Sequence, residues 1–404
     1  MLRSQSFLAR LGYVTVFAAV GAYAPFLPVY YQSLGVGLGT IALLGALTAG
    51  AGLIGSPIWG ATADRFRSSN LILPAAALVA TGAAVLLAFV GWPVLVLVVV
   101  AFGLGTSGIG PVLDARALDA VGEDRHRYGR FRVWGSASFV VFAIAVGWLI
   151  ERTGPRGIFL VAVPMLAITA LIGLRLRPRG LAPSMPRLTG VLAIVRSPVL
   201  GPFLLAILLS YASSSAVNAY FSIYLGQIGA PDTVVGLAWA IGACAEVPLM
   251  IGFPILAKRF GVERLMVLGA ACMVVRAIAV SVLPNAGLVA STMLLHGAGI
   301  AFLTIGGVTY VARYAPAGTA ATAQGVLTAT VYGLAMIVGP VVAGLLAGAV
   351  PLPQVFGIVS VGSICAVGAL TWALSARVRG APGGPGRPAL ETLPDPGPGT
   401  LPGL

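Results

Sequence analysis

The chain has 404 residues, of which 58% are hydrophobic and only 9% charged, and its mean hydropathy is +1.00. A soluble domain carries about a quarter of its residues as Asp, Glu, Lys or Arg, so this chain cannot clothe a water-facing surface and reads as an integral membrane protein. The net charge of +13 does not signal a nucleic-acid partner, because the basic residues sit in short loops without interleaved stacking aromatics.

Apolar runs of about twenty residues, such as 71–90 and 131–150, do not alternate with period two, which selects helical spans over a β-barrel. In chain order, spans are predicted near 11–33, 40–62, 70–91, 94–117, 131–150, 157–175, 199–226, 233–257, 264–283, 286–312, 320–347 and 353–375. The first contains Ala22-Tyr23-Ala24, superficially a signal-peptidase site. Its apolar run continues through Pro25 to Tyr31, beyond a normal signal core, so an uncleaved span is expected. The 54 Gly suit close helix–helix approach in lipid, where small residues are the packing device. Cys244, Cys272 and Cys365 lie singly in apolar spans, without metal-ligand or redox spacing, and are expected to be small core residues.

Alternate connections carry the positive charge. Nineteen Lys and Arg residues fall on the side of Arg3, Arg65, Arg130, Arg187 and Arg259, against Arg152 and Arg156 on the other. The positive-inside rule then puts both termini in the cytoplasm, in a multi-pass protein of the cytoplasmic membrane. The basic, Pro-containing loop 176–198 separates residues 1–175 from 199–376, six spans each, and the Pro/Gly-rich tail 377–404 reads as disordered.

The two sets of spans match at an offset of 194 residues. Tyr30 and Gly35 correspond to Tyr224 and Gly229, Arg65-Phe66 to Arg259-Phe260, and Gly103 with Gly105 to Gly297 with Gly299. The expected fold is therefore an all-α integral membrane protein with 12 transmembrane helices in two pseudo-symmetric six-helix bundles. Substrate in such a plan binds between the halves, near the bilayer midplane. A formal dinucleotide fingerprint, Gly103-Leu104-Gly105-Thr106-Ser107-Gly108 with Glu123 beyond it, is discarded. It lies within a span and follows no strand.

Charges inside the bilayer are the informative residues, because each costs roughly 2.5–3.5 kcal/mol on insertion scales unless it finds a partner or a wet cavity. Asp114 sits late in the fourth span and Arg132 at the start of the fifth, and a short loop between them would let the two meet. Glu246 lies mid-span in the eighth helix, Arg276 mid-span in the ninth and His296 in the tenth. Asp114 and Arg132 are near enough to the span ends to snorkel as a purely structural pair. His296 is equally readable as a neutral core histidine. Tyr23, Phe26, Asn218 and Tyr332 are candidate polar-aromatic cavity lining.

The segment Gly60-Ala61-Thr62-Ala63-Asp64-Arg65-Phe66-Arg67 resembles the G-x-x-x-D-R-x-x-[RK] loop of the major facilitator superfamily, with one position degraded. The resemblance implies a conformational latch at Gly60, Asp64 and Arg65, Asp64 capping a neighbouring helix N-terminus; the bland alternative is a solvated charge pair. Gly21-Ala22-Tyr23-Ala24-Pro25-Phe26-Leu27-Pro28, Asp114 followed by Tyr128-Gly129-Arg130-Phe131-Arg132-Val133-Trp134-Gly135-Ser136, and the series Glu246-Val247-Pro248, Arg276, His296-Gly297 are similar to the branch that holds lactose permease and the 3-phenylpropionate transporter. That resemblance implies that Asp114 and Arg132 contact substrate, that Glu246 links substrate and proton sites, and that Arg276 and His296 belong to the coupling network. Gly299 stands where lactose permease has a second carboxylate and Phe139 where it has a sugar-stacking Trp, so galactoside transport is not expected.

The expected function is alternating-access transport of a small organic solute, an aromatic acid, nucleoside or sugar-like compound, by proton symport. The protein is expected to be a monomer with no cofactor and no metal, and not an enzyme. Its expected partners are the solute, protons and the bilayer. Proton-driven efflux of a drug-like compound is the alternative on the same fold. A non-transporting receptor or scaffold is the alternative of another class, and it would call for large extramembrane domains.

Overall fold

The computed structural model describes residues 2–65, 70–121, 128–176, 188–316 and 318–375. Among these every regular element is helical. The first half runs α1 (Leu2–Tyr23), α2 (Leu27–Ser33), α3 (Leu38–Arg65), α4 (Ile72–Leu87), α5 (Val94–Val121), α6 (Tyr128–Thr153) and α7 (Ile158–Arg175). After α8 (Leu188–Val195) the second half runs α9 (Leu200–Gln227), α10 (Asp232–Phe260), α11 (Val262–Val282), α12 (Ala286–Ser291), α13 (Met293–Tyr314), α14 (Ala320–Thr328), α15 (Ala335–Ala347) and α16 (Leu352–Ala373). A π-helical segment, Ala329–Leu334, joins α14 to α15. Hydrocarbon offers no water to backbone groups, so helices, which bond internally, are what such apolar runs form.

Eleven helical stretches are long and apolar enough to cross a bilayer. The remaining expected span, α4, is apolar but has only 16 residues. At 1.5 Å per residue that is about 24 Å, short of a hydrocarbon core of roughly 30 Å.

Two segments and two cysteines differ from expectation. The first helix already runs from Leu2 and breaks at the turn 24–26, where Pro25 and Pro28 interrupt the ladder before α2. The segment expected as loop at 176–198 contains α8, an apolar run obscured in sequence by its basic, Pro-containing flanks; residues 177–187 and the tail from 376 onward lie outside the described residues. Cys244 and Cys365 are exposed rather than core, in keeping with a thiol apolar enough to face hydrocarbon.

The duplication read at an offset of 194 recurs in the packing. Gly103 of α5 lets its helix close on Thr48 and Ala51 of α3, and Gly297 of α13 closes on Gly242 and Ala245 of α10. Gly35 and Gly229 both take left-handed backbone, with φ of 76° and 83°, a conformation only glycine enters without strain. Tyr30 donates to the Leu87 carbonyl at the end of α4 (2.6 Å), and Tyr224 to the Leu283 carbonyl at the end of α11 (3.4 Å). Each of these rings also meets a phenylalanine edge-on, Phe159 at 5.0 Å and Phe356 at 5.3 Å.

The halves meet along two seams, α6 on α10 and α3 on α15. Both seams make close contacts toward the face carrying the turns at 34–37, 154–157 and 228–231, here called the far face. Gly147 packs on the Asp232 carbonyl and Gly236 on the Ala143 carbonyl, leaving no room for a Cβ on either. A Cβ on Gly344 would come within 2.7 Å of Ala42, and Tyr220 of α9 donates across the halves to the Leu38 carbonyl at 2.8 Å. The Glu151 carboxylate accepts the Thr233 N–H at 2.7 Å, in the first turn of α10, where the helix dipole favours an anion. Toward the opposite, basic face Arg132 and Tyr332 are exposed, which marks the cleft between the halves on that side.

Candidate functional site

Helical spacing puts Tyr211, Ser214 and Asn218 on one face of α9, Trp239 and Glu246 on one face of α10, and His296 and Thr304 on one face of α13. These faces converge on the cleft. The Tyr211 hydroxyl and Thr304 Oγ1 share a hydrogen bond of 2.7 Å. Tyr332, on the π-helical segment and 59% exposed, lies beside Thr304 and within electrostatic reach of both Glu246 and Arg132. Arg132 in turn acts electrostatically on Glu246. A cation from the first half and a carboxylate from the second thus lie within electrostatic reach of each other.

Asp114 is placed differently from expectation. Its carboxylate accepts the Tyr13 hydroxyl in a short hydrogen bond, and no ion pair joins it to Arg132 among the described residues. The two are neighbours in sequence across a loop, but α1 lies between α5 and α6 and supplies a phenol instead.

Arg276 and Glu246 are likewise separate. Arg276, 1% exposed on α11, donates from Nη2 to Asn218 Oδ1 at 2.8 Å and to Met293 Sδ at 3.4 Å. Its guanidinium carbon lies 5.0 Å from the centroid of Phe221. His296 is half-buried, with Nδ1 3.4 Å from Ser214 Oγ and its ring meeting Trp239 edge-on at 6.5 Å.

The other expected positions divide. Tyr23 is half-buried and meets Phe102 edge-on at 5.0 Å. Phe26 is 1% exposed and belongs to the apolar core, not to the cavity wall; the proline-bounded turn after α1 folds its ring inward. Gly60 is helical, part of α3 rather than of a loop, and Arg65 is the exposed last residue of that helix. The Asp64 side chain and residues 66–69 lie outside the described residues. Tyr13, Tyr211, Thr304 and Trp239 join the site without having been singled out in sequence. Tyr211 was within reach, because it recurs at helical spacing with Ser214 and Asn218 along one face of its span. Tyr13 carried no such signal.

No group of three His, Cys, Asp or Glu residues among those described could hold a metal. What the arrangement can do is hold a polar solute between opposite charges from the two halves, and let either charge be uncovered as the halves move.

The description MFS_1 like family matches residues 9–357. The maltose permease of Geobacillus stearothermophilus is 30% identical over 331 residues, covering 80% of this chain and 83% of that protein. The probable 3-phenylpropionic acid transporter of Escherichia coli is 30% identical over 298 residues, covering 68% and 74%. In fold, the crystal structure of the nucleoside transporter NupG (D323A mutant) superposes with a TM-score of 0.82 at 17% identity, covering 92% of this chain and all of that one. With two duplicated bundles, a charged cleft between them and a family match over most of its length, this chain belongs to the MFS_1-like family and is a multi-pass membrane transporter of the major facilitator type.

Proposed function

We propose that the protein takes up a small organic solute across the cytoplasmic membrane by proton-coupled alternating access, with the basic face in the cytoplasm. The observation that carries this reading is an arginine of one half, Arg132, within electrostatic reach of a carboxylate of the other, Glu246, while glycine contacts close the halves on each other toward the far face. A carboxylate in a low-dielectric cavity holds its proton more readily, and an approaching guanidinium releases it. Rocking of the halves changes the distance between Arg132 and Glu246, so proton binding and conformation are tied through one residue. Solute enters between them, with Tyr332, Tyr211 and the second oxygen of Asp114 as polar contacts. The latch role of Gly60, Asp64 and Arg65 belongs to the same reading, as a contact that holds one access state.

The relatives' names supply the solutes to test: maltose, 3-phenylpropionate and a nucleoside such as uridine. In proteoliposomes, counterflow of one of these is expected from the wild type, together with accumulation under an inward proton gradient. Glu246→Gln is expected to keep counterflow and lose accumulation. Gradient-driven accumulation preserved in Glu246→Gln would remove the proton carrier, and an imposed inward gradient that empties loaded vesicles would establish efflux instead.

A further inference from the structure

The first half holds its acid with a phenol, and the cleft sets Arg132 against Glu246. Arg276 is left over. Its partners are the amide oxygen of Asn218, the thioether of Met293 and the face of Phe221. Its Nε is buried with no acceptor, and among the described residues no carboxylate lies within ion-pairing distance. A buried guanidinium is costly unless an anion compensates it. An amide oxygen, a thioether and a ring face supply partial compensation only.

The surroundings show from which side an anion would come. Asn218, which accepts from the guanidinium, and His296 are half-buried, so the polar groups beside Arg276 reach partway out of the core. Arg276 acts electrostatically on His296. Beside them Trp239 meets both His296 and Phe221 edge-on, at 6.5 and 6.4 Å. An uncompensated cation at the base of an aromatic wall fits a solute with one carboxylate and an apolar body. We infer that the transported solute is an organic monocarboxylate whose carboxylate is held by Arg276 with Asn218 and His296, its apolar part lying along Trp239. Guanidinium and carboxylate pair bidentately, which selects an acid over its neutral isostere. The inference rests on the transport reading and narrows it.

The test compares phenylacetate, 3-phenylpropionate and hexanoate with their primary amides, and with maltose and uridine, as stabilisers of the detergent-solubilised full chain in thermal unfolding. At least one of the three acids is expected to raise the unfolding temperature at a concentration about tenfold below that needed for its amide. Asn218→Asp places a carboxylate 2.8 Å from the guanidinium in the present geometry; it is expected to raise the unfolding temperature by itself and to abolish the response to acids. Arg276→Lys is expected to keep a weakened response, and Arg276→Gln none. Equal responses to acids and amides, or an Asn218→Asp protein that binds acids like the wild type, would overturn the assignment. Stabilisation and counterflow by maltose or uridine alone would overturn it while leaving the transport reading intact. Counterflow by none of the solutes would remove the transport reading that supports it.

Discussion

The two halves of this protein share a scaffold but not a chemistry. Each contributes one acid and one arginine to the interior, and symmetry would lead one to expect the same pair twice. In the first half, Asp114 is engaged by Tyr13 and its arginine looks across the cleft. In the second, Glu246 looks back at that arginine, while Arg276 is buried among an amide, a thioether and an aromatic ring. Packing between helices constrains backbone distances, so the glycine contacts survive duplication. Cavity side chains are free to diverge, and the acid and arginine that sense each other come from different halves.

The sharpest way to break this comparison is to neutralise Arg132. Arg132 is exposed, so solvent screens its attraction to Glu246; Arg132→Gln is expected to lower initial uptake by about tenfold and Asp114→Asn by no more than about threefold. Equal losses, measured as initial rates in vesicles, would restore a pair within the first half. The seam comes next. Gly236→Leu cannot pack on the Ala143 carbonyl and is expected to shift the population toward opening on the far face. Labelling of Tyr332→Cys from the basic side, in a background without Cys244, Cys272 and Cys365, should then slow about tenfold.

Tyr13→Phe removes the hydroxyl from Asp114 without disturbing the cross-cleft pair. The orphaned carboxylate is expected to cost about 1–3 kcal/mol of stability, read as a lowered unfolding temperature, and Asp114→Leu in the same background should recover part of it. Glu151→Gln is expected to have the smallest effect. An amide oxygen still accepts the Thr233 N–H, so only the charge–dipole contribution is lost. The same cysteine-labelling assay should register a change of no more than about threefold.

Much of the fold was legible because lipid solvent leaves a chain few options. Continuous apolar runs must be helices, and Gly35 with Gly229, or Gly103 with Gly297, mark the repeat at one offset. Where the chain departs from a plain apolar run, legibility fails. Pro25 and Pro28 break the first span, and the apolar stretch of α8 is disguised by its flanks. The ionic residues were identifiable one by one because charge is rare in hydrocarbon. Their partners were not, since Asp114 meets Tyr13 from a helix about 100 residues away in sequence. Phe26 was misplaced for a related reason: an aromatic in a transmembrane motif looks the same in sequence whether its ring turns toward a cavity or into the core.

The π-helical segment has a consequence for how the chain can change in evolution. A π turn holds one residue more than an α turn, so Ala329–Leu334 absorbs an extra residue while α15 keeps nearly the phase of an uninterrupted helix. Losing one position there would return the segment to an α turn with little change of phase, whereas deleting a position between Ala335 and Gly339 would turn everything beyond it by about 100°. Gly339 would leave its place against Ala212 and Ser215 of α9, and Gly344 its place against Ala42 of α3. An indel harmless in a surface loop would thus unseat one whole wall between the bundles, so length variants are expected to be purged from residues 335–339, while the π segment before them can lose one residue.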